Sequence, residues 1–472
     1  MKRSTVINAL LGFSAALLFT AGCHTLTQSS PWTQSDAKSP QDASAAQIAV
    51  ALPAAQTNAL LGTNLAGIAD WSTQMPFVDG FKSSRPWVTQ CASDADCPWS
   101  TKEEDRLDLD EHGWVRSLPA PDDDVTYTRA GTLLFRGVDD YPGGEYVVLY
   151  DGQGTLSYGY DAEQRLAESR PGRDVIEVTP SSQGIHLQIT ATDPDDYIRN
   201  IRVVPAEYEA TFEQAPFNPA FLEKTQPYGT LRFMDWMDTN NSEQGEWDNR
   251  PQPEDATYAR RGVPVEVMVD LANRLGRSPW FNMPHQATDN YVQEFARYVS
   301  QQLSPDLPIY VELSNEVWNG QFDQQDYAVD QGRQLDQGGD EFAKSRLWFG
   351  KRTAEVLQIW DEVFAEDRDR VVGVLGAQAA NSWTAEKSLD YLRTAGLSNR
   401  EAGIDAVAIA PYVGLPLNRD SVKADLERWT EAGTEAALDQ LFDEITAGGV
   451  LSEGDPGGGL RRAGDGGSAK VA

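Results

Sequence analysis

Beyond Pro205 the chain alternates short apolar segments with longer amphipathic ones, and this alternation limits the possible folds more than any other feature. The apolar segments predict strands at residues 229–236, 279–285, 308–316, 370–378 and 405–413. A helix is predicted over 289–303, with Thr288 or Asp289 as its cap, because apolar residues recur there on one face. A second helix is predicted over 341–364. Repeated strand–helix units with buried strands indicate a parallel sheet.

The residues that end these strands favour a closed barrel over an open doubly wound sheet. The ends read "DW", "PHQ", "SNE", "AQAAN" and "PY", and a (β/α)8 barrel gathers its active site at the carboxyl ends of its strands. A Gly-rich phosphate loop follows none of the predicted strands, which weakens a nucleotide-binding interpretation. With residues 60–71 as the first strand, the sequence predicts an α/β fold of the (β/α)8 TIM-barrel type, incomplete, with about six strands.

Residues 113–205 show a different pattern, in which short β-rich runs alternate with Gly, Pro and Asp residues. The runs read "GTLLFRGV", "EYVVLYDG", "DVIEVTP", "IHLQITATD" and "IRNIRVVP". Several short strands with turn signals predict an all-β sandwich, inserted here after the first barrel strand. The predicted domains are therefore the first barrel strand and a disulfide loop at 59–112, the sandwich at 113–205, and barrel units two to six at 206–453.

The first residues have the features of a targeting segment. A basic start at Lys2 and Arg3 precedes an apolar run that is too short for a membrane span and stops before "TAGC". Small residues directly before Cys23 resemble a bacterial lipoprotein signal, which implies removal of residues 1–22 and lipidation of Cys23. An ordinary secretory signal with an incidental cysteine is the alternative. Because His24 rather than Asp follows the cysteine, we expect an anchor in the outer membrane.

The amino-acid composition excludes one class of partner and indicates the nature of the segment that follows the predicted anchor. Residues 23–58 are rich in Ser, Thr, Gln, Ala and Pro, which predicts a flexible tether. The formal net charge is −33, so binding to nucleic acid through its phosphates is not expected. An acidic surface of this kind usually serves solubility.

The cysteines that follow the tether predict a disulfide. Cys91 and Cys97, in "CASDADC", are close enough to close a small loop in the oxidising compartment that export implies. Two free thiols are the alternative. A zinc site would need further ligands nearby, and the four histidines are scattered, so no metal is expected.

The segment "IYVELSNEVWNG" begins as a buried strand and ends on the polar pair Asn315 and Glu316. In strand geometry Glu316 shares a face with Glu312 and Ser314, and in a barrel that face points inward. A partly desolvated carboxyl at a barrel mouth can donate a proton to a leaving oxygen, and a neighbouring amide can hold a sugar hydroxyl. The alternative is that Glu316 caps the next helix.

An Asn-Glu pair that ends the fourth strand of a (β/α)8 barrel resembles the acid/base signature of the large clan of retaining glycoside hydrolases that includes many cellulases. The segments "IYVELSNEVWNGQF", "NMPHQATDNYV" and "GTNLAGIADW" also resemble a group of bacterial proteins described as cellulose-binding or uncharacterised. This resemblance covers most of residues 60–455. It implies a mechanism without cofactor or metal, in which Glu316 is the general acid/base and Asn315 contacts the sugar.

The same resemblance implies supporting polar residues at Arg232, His285 and Tyr412. Three tryptophans, Trp236, Trp318 and Trp383, lie just past predicted strand ends, where flat rings can stack on sugar faces, and they are expected to bind substrate in this way. Each has a structural alternative: an ion pair for Arg232, a satisfied half-buried ring for His285, packing for Tyr412, and a place in the core for each tryptophan.

The nucleophile of a retaining mechanism is not identified. In this clan it is a Glu at the end of strand seven, and no seventh strand is predicted here. From Gly454 onward Gly, Arg and Ala dominate, so residues 454–472 are expected to be a disordered, aberrant tail of a truncated or frameshifted chain, or else a native flexible tail. Glu453 lies in a turn-like setting and is a poor candidate, and Glu312 is expected to support Glu316.

These observations leave three functions open. The first is an exported, lipid-anchored, glycoside-hydrolase-like protein that acts on β-linked polysaccharide, or that is inactive because the nucleophile is missing. The second is a carbohydrate-binding surface lipoprotein without turnover, which binds polysaccharide or oligosaccharide through the sandwich and the aromatic rim. The third is a purely structural envelope protein, which would have no affinity for sugars.

Overall fold

A computed structural model describes residues 61–92, 97–120, 123–335, 338–379, 381–410, 420–431 and 433–447. The predicted signal at 1–22, the tether at 23–58 and the tail at 454–472 lie outside the described residues, as do Cys23, Tyr412 and Glu453. Within the described ranges every helix is too short or too polar to traverse a lipid bilayer.

In chain order, the strands of the described residues are β1 (Gly62–Asn64), β2 (Val88–Gln90), β3 (Asp108–Leu109), β4 (Val115–Ser117), β5 (Arg129–Leu134), β6 (Gly144–Asp151), β7 (Gly154–Tyr160), β8 (Ala162–Gln164), β9 (Arg173–Val178), β10 (Ile185–Thr192), β11 (Arg199–Pro205), β12 (Thr230–Arg232), β13 (Ser278–Met283), β14 (Ile309–Leu313), β15 (Val371–Ala377) and β16 (Ala406–Ile409). The helices are α1 (Pro219–Thr225), α2 (Val265–Leu275), α3 (Asp289–Gln302), α4 (Asp323–Arg333), α5 (Glu341–Phe364), α6 (Ser382–Ala395), α7 (Asp420–Glu431) and α8 (Thr434–Ala447).

Six strands of the described part form one parallel sheet, in the order β1-β12-β13-β14-β15-β16. This mixed α/β arrangement is that of a half-barrel and is compatible with a partial α/β barrel. The predicted α/β class is confirmed. The strands are shorter than predicted, since β12 ends at Arg232 and β14 ends at Leu313.

The two predicted helices are present as α3 and α5, and local capping explains where they begin. The hydroxyl of Thr288 accepts a hydrogen bond from the Tyr291 N–H at 3.3 Å, so Thr288 is the cap of α3. Asp340 does the same for α5, where it accepts from the Ala343 N–H at 2.8 Å. α2 ends at Leu275 and is followed by Gly276, whose left-handed conformation (φ 61°) favours glycine.

The two faces of the parallel sheet differ in character. Leu231, Phe281 and Val311 lie on one face and are fully buried in a hydrophobic core that also contains Phe295 of α3 and Trp360 of α5. On the opposite face, four neighbouring strands each contribute one polar or aromatic side chain at the same level: Asn64, Arg232, Trp280 and Tyr310. The helices therefore stabilise the sheet by burying one of its faces, and the opposite, polar face is available for a binding site.

The region between β1 and β12 forms two four-stranded antiparallel sheets, β2-β5-β10-β7 and β11-β6-β9-β8. Side chains from both sheets, such as Leu187 of β10 and Ile176 of β9, belong to one hydrophobic cluster. The first sheet also contains β2, which precedes residue 113, and β7, which the sequence patterns did not reveal. The strands β5, β6, β9, β10 and β11 overlap the five predicted runs.

A buried carboxylate joins this region to the segment that follows β1. Asp79 begins a short 3-10 helix (Gly80–Ser83) and accepts hydrogen bonds from the N–H groups of Phe81 at 3.0 Å and of Val203 in β11 at 2.9 Å. Burial raises the pKa of Asp79 to about 6, although the charge of Lys82 opposes the shift. The Asp79 carboxylate is thus paired with backbone N–H groups of two segments that are distant in sequence.

Candidate functional site

Arg232, the last residue of β12, connects three strand ends on the polar face of the parallel sheet. Its Nη2 lies 2.8 Å from Glu312 Oε2 and 3.2 Å from Asn315 Oδ1, and its Nε lies 3.3 Å from the same Glu312 oxygen. Its Nη1 donates to Asn64 Oδ1 at 3.4 Å. The structural ion pair considered for Arg232 is therefore present, and the same guanidinium also holds the amide of Asn315.

Glu312 lies at the centre of the cluster and has a side chain only 5 % exposed. Besides Arg232, its Oε2 accepts hydrogen bonds from Trp280 Nε1 at 3.0 Å and Asn282 Nδ2 at 2.9 Å. A Cβ atom at Gly376 of β15 would come within 2.8 Å of Glu312 Oε1, so the absence of a side chain there makes room for the carboxylate. These contacts join Glu312 to Arg232, Trp280 and Asn282, and the expectation that it supports Glu316 stays a prediction.

The loop after β14 is held by a second set of amides. Asn315 Nδ2 donates to Asn240 Oδ1 at 3.1 Å, and Gln324 Nε2 of α4 donates to the same oxygen at 2.8 Å. Gln324 also donates to the backbone carbonyl of Asn315 at 2.8 Å. Both ends of the Asn315 amide are thus fixed by the protein, and the loop is ordered before any ligand binds.

Glu316 is half-buried and lies in a strained turn. The φ angles of Ser314 and Glu316 are 55° and 41°, in the left-handed region that non-glycine residues seldom adopt. Asn319 Nδ2 donates to Glu316 Oε2 at 2.9 Å, which holds the carboxylate. Because β14 ends at Leu313, the expected alternation of side chains does not extend to Glu316, and the prediction that it shares a strand face with Glu312 is wrong.

The alternative role for Glu316, capping the next helix, is also wrong. α4 begins at Asp323 and its N-cap position is Phe322, which makes no side-chain capping bond. Glu316 therefore lies well before the helix, in the turn closed by the Asn319 N–H, which donates to the Glu316 carbonyl at 2.8 Å. A local structural role at the helix terminus does not explain this carboxylate.

The three predicted tryptophan platforms lie in different environments. Trp236 is fully buried and packs against Phe77 and Phe233, so neither face of its ring is open to a sugar and the predicted stacking role is corrected to a core role. Trp318 is half-buried, and its ring edge lies 3.9 Å from where a Gly376 Cβ would be, beside Glu312. Trp383 stacks on Phe342 of α5, with ring centroids 5.5 Å apart.

His285, which follows β13, is buried. Its side chain is 2 % exposed, and its ring packs edge-on against Tyr327 at 5.1 Å. Burial lowers the pKa of His285 to about 4, so the ring is neutral near pH 7. Neither ring nitrogen has a hydrogen-bond partner within the described ranges. Both expectations for His285, sugar contact and a half-buried, satisfied ring, are therefore corrected.

Sequence patterns missed several members of the cluster, of which Trp280 and Asp235 are chemically the most important. The Arg232 guanidinium lies 5.3 Å from the centre of the Trp280 ring, which stacks on Tyr310 at 5.4 Å. Asp235 accepts a hydrogen bond from Asn64 Nδ2 at 2.7 Å, and burial raises the pKa of Asp235. Trp280 lies in β13 and Asp235 lies just after β12, and both strands were predicted from the sequence to end at a site. This position along the chain was the signal that could have identified them.

The chain was compared with family models, with curated proteins and with solved structures, and no match was found in any of the three. The resemblance to glycoside hydrolases therefore rests on the sequence segments themselves. Among the described residues, no group of three or more His, Cys, Asp or Glu side chains is arranged to hold a metal ion.

Proposed function

We propose that the strand-end cluster binds a β-linked glycan and that Glu316 serves as the general acid/base of a glycoside-hydrolase-like site. In this proposal the half-barrel is part of a (β/α)8 barrel and the two antiparallel sheets are an inserted sandwich. We further propose that the chain is exported and anchored by a lipid on Cys23 in the outer membrane. Its partners are then the membrane, through that anchor, and polysaccharide or oligosaccharide.

The observation that carries the proposal is the Arg232 guanidinium, which joins Glu312 and Asn315 at the carboxyl ends of adjacent strands. Fixed amides and carboxylates match the hydroxyl groups of a sugar, and the Trp280 and Trp318 rings beside them match its apolar faces. Such a mixture on the polar face of a parallel sheet is typical of a small-molecule site rather than of a protein core.

The chemistry assigned to Glu316 follows from its setting. Its carboxylate is half-buried, held by Asn319, and presented by a strained turn directly after the strand end. Strain of this kind persists only where the surrounding structure fixes it, and it is common at functional sites. Retention would require a second carboxylate about 5–5.5 Å from the first. We assign no nucleophile, since Glu312 is occupied by Arg232, Trp280 and Asn282.

The test replaces Glu316 with Gln, which keeps the shape and an oxygen acceptor for Asn319. Reducing-sugar release from soluble β-glucan should be abolished, while binding of cellohexaose stays within a few-fold of wild type. Glu362→Gln, an exposed site on the outside of α5, is the matched control and should change neither quantity. Equal turnover in wild type and Glu316→Gln would show that Glu316 is not the acid/base.

Glycan binding without turnover is the second candidate, and one observation favours it. The hydrogen bonds of Glu312, Asn315 and Arg232 are largely made to one another, which suits a rigid recognition surface. In that case wild type and Glu316→Gln would both bind cellohexaose and neither would release reducing sugar. A structural envelope protein would bind no glycan in either form.

A further inference from the structure

Three aromatic rings lie together on the outer face of the antiparallel sheet β2-β5-β10-β7, away from the strand-end cluster. Trp99 is 43 % exposed and Tyr160 is 49 % exposed, although both side chains are large and apolar. The Trp99 Nε1–H donates to the Tyr160 hydroxyl at 2.9 Å, and the His186 ring stacks on Tyr160 with centroids 5.0 Å apart. We call Trp99, Tyr160 and His186 the aromatic platform.

A row of amides lies directly beside the platform. Gln90 is only 3 % exposed, and its Oε1 accepts from His186 Nε2 at 2.9 Å and from Gln188 Nε2 at 2.7 Å. Its Nε2 donates to the Trp99 carbonyl at 3.1 Å. Gln188 is half-buried and its other end accepts from the Ser157 hydroxyl at 3.2 Å. Amides fixed in this way beside exposed rings form a polar border of defined geometry.

The backbone of this face is adapted to the rings. A Cβ atom at Gly131 would come within 2.0 Å of Gln90 Oε1, so a side chain there would displace the buried amide from its place over β5. Tyr160 has a φ angle of 59°, in the left-handed region that costs a bulky residue conformational energy. This conformation brings the ring outward to half exposure, where it stacks on His186 and lies 5.9 Å from the Arg136 guanidinium. It also places the ring beside Trp99.

The platform is also held in place before any ligand binds. The predicted disulfide Cys91–Cys97 is present and closes the loop between β2 and Trp99. The Thr101 N–H then donates to the Thr89 carbonyl at 2.9 Å and returns the segment to β2. A rigid aromatic surface loses little conformational entropy on binding, which favours affinity for a weak, flat ligand.

We propose that the aromatic platform is a second glycan-binding site, which takes the flat apolar face of neutral sugar rings in a β-linked chain. Exposed indole and phenol rings match the C–H face of such a sugar, and Gln188 and Ser157 at the border match its hydroxyl groups. The net charge of −33 disfavours anionic polysaccharides. A proline-rich peptide, the other common ligand of exposed aromatic rings, usually docks in a groove and is less well matched to a flat, amide-bordered face.

The platform shares no residue with the strand-end cluster, and the two lie on different sheets. The test is calorimetric titration of the full chain with cellohexaose, in wild type and in Trp99→Ala, Tyr160→Ala and the double variant. Both residues are exposed, so these variants should fold, as circular dichroism would verify. Leu166→Ala, at an exposed position in the turn after β8, is the matched control. Maltohexaose and an octaproline peptide are the comparison ligands.

We expect the double variant to bind one equivalent of cellohexaose fewer than wild type, and each single variant to weaken that site at least tenfold. Leu166→Ala should keep it. If the strand-end cluster binds no glycan, wild type would bind one equivalent of cellohexaose and the double variant would bind none. The two proposals can therefore be refuted separately. Unchanged stoichiometry in the double variant overturns the platform, as does binding of octaproline with no binding of cellohexaose.

Discussion

Asp79 gives a prediction about stability whose size follows from the structure. The residue is 8 % exposed, and its Oδ1 accepts from the N–H groups of Phe81 and Val203. Burial raises the pKa of Asp79 from 3.8 to about 6, against the charge of Lys82. Because one pKa unit corresponds to about 1.4 kcal/mol, the ionised carboxylate lowers the free energy of unfolding by about 3 kcal/mol at neutral pH.

The direction of the pH dependence follows from the same shift. The pKa of Asp79 is higher in the folded chain than in the unfolded chain, so the folded chain binds the proton more tightly. The stability gained from that proton is fully present below pH 3.8 and is lost as the pH rises through about 6. Asp79→Asn stays neutral, and its side-chain oxygen can accept the same two hydrogen bonds. At pH 7 the variant should be more stable than wild type by about 3 kcal/mol.

The measurement is denaturant unfolding of wild type and Asp79→Asn at about pH 4, 5.5 and 7, followed by tryptophan fluorescence. Phe81 packs against Trp87 and Trp114 at 5.8 and 5.5 Å, so two of the 13 tryptophans that give the signal lie beside Asp79. Asp139→Asn, an exposed site, is the control and should not change the pH dependence. A difference between wild type and Asp79→Asn that stays constant from about pH 4 to 7 would refute the reasoning.

Two further predictions concern the parallel sheet. Gly376→Ala should lower the free energy of unfolding by about 1–3 kcal/mol in denaturant melts, because its methyl group would press on the Glu312 carboxylate. Trp236→Ala should lower it by about 3–5 kcal/mol through loss of core packing, with glycan affinity unchanged where the variant is still folded. Trp318→Ala, at a half-buried ring beside the site, should instead weaken cellohexaose binding and change stability little, and equal effects of the two tryptophans on binding would contradict this assignment.

The helices could be predicted from the sequence because their signals are local. The apolar face of α3 and the capping hydroxyl of Thr288 lie within a single segment, and the predicted bounds of α3 and α5 agree with the structure to within one residue. The order of strands also followed from the alternation of patterns. β7 was missed because Gly154 and Gly159 resemble turn signals, and its stability comes from pairing with β10, which is distant in sequence.

The site was predicted less completely because side-chain directions depend on contacts between distant segments. Trp236 follows a strand just as Trp318 does, and only packing against Phe77 shows that it belongs to the core. The left-handed turn at Ser314 and Glu316 has no glycine to indicate it. The choice of Trp280 as the aromatic neighbour of Arg232 depends on the register of β12 with β13, which no single segment contains.

The position of Trp99, just beyond the Cys91–Cys97 bond, links the aromatic platform to the redox state of its surroundings. In a reducing compartment the two thiols would be free, the loop would no longer be cross-linked, and the segment that carries Trp99 would be held to β2 by hydrogen bonds alone. A newly made chain would then present a loose surface with little affinity for a flat ligand. Oxidation would complete the platform, so its assembly would be a late step of maturation that takes place where thiols are oxidised.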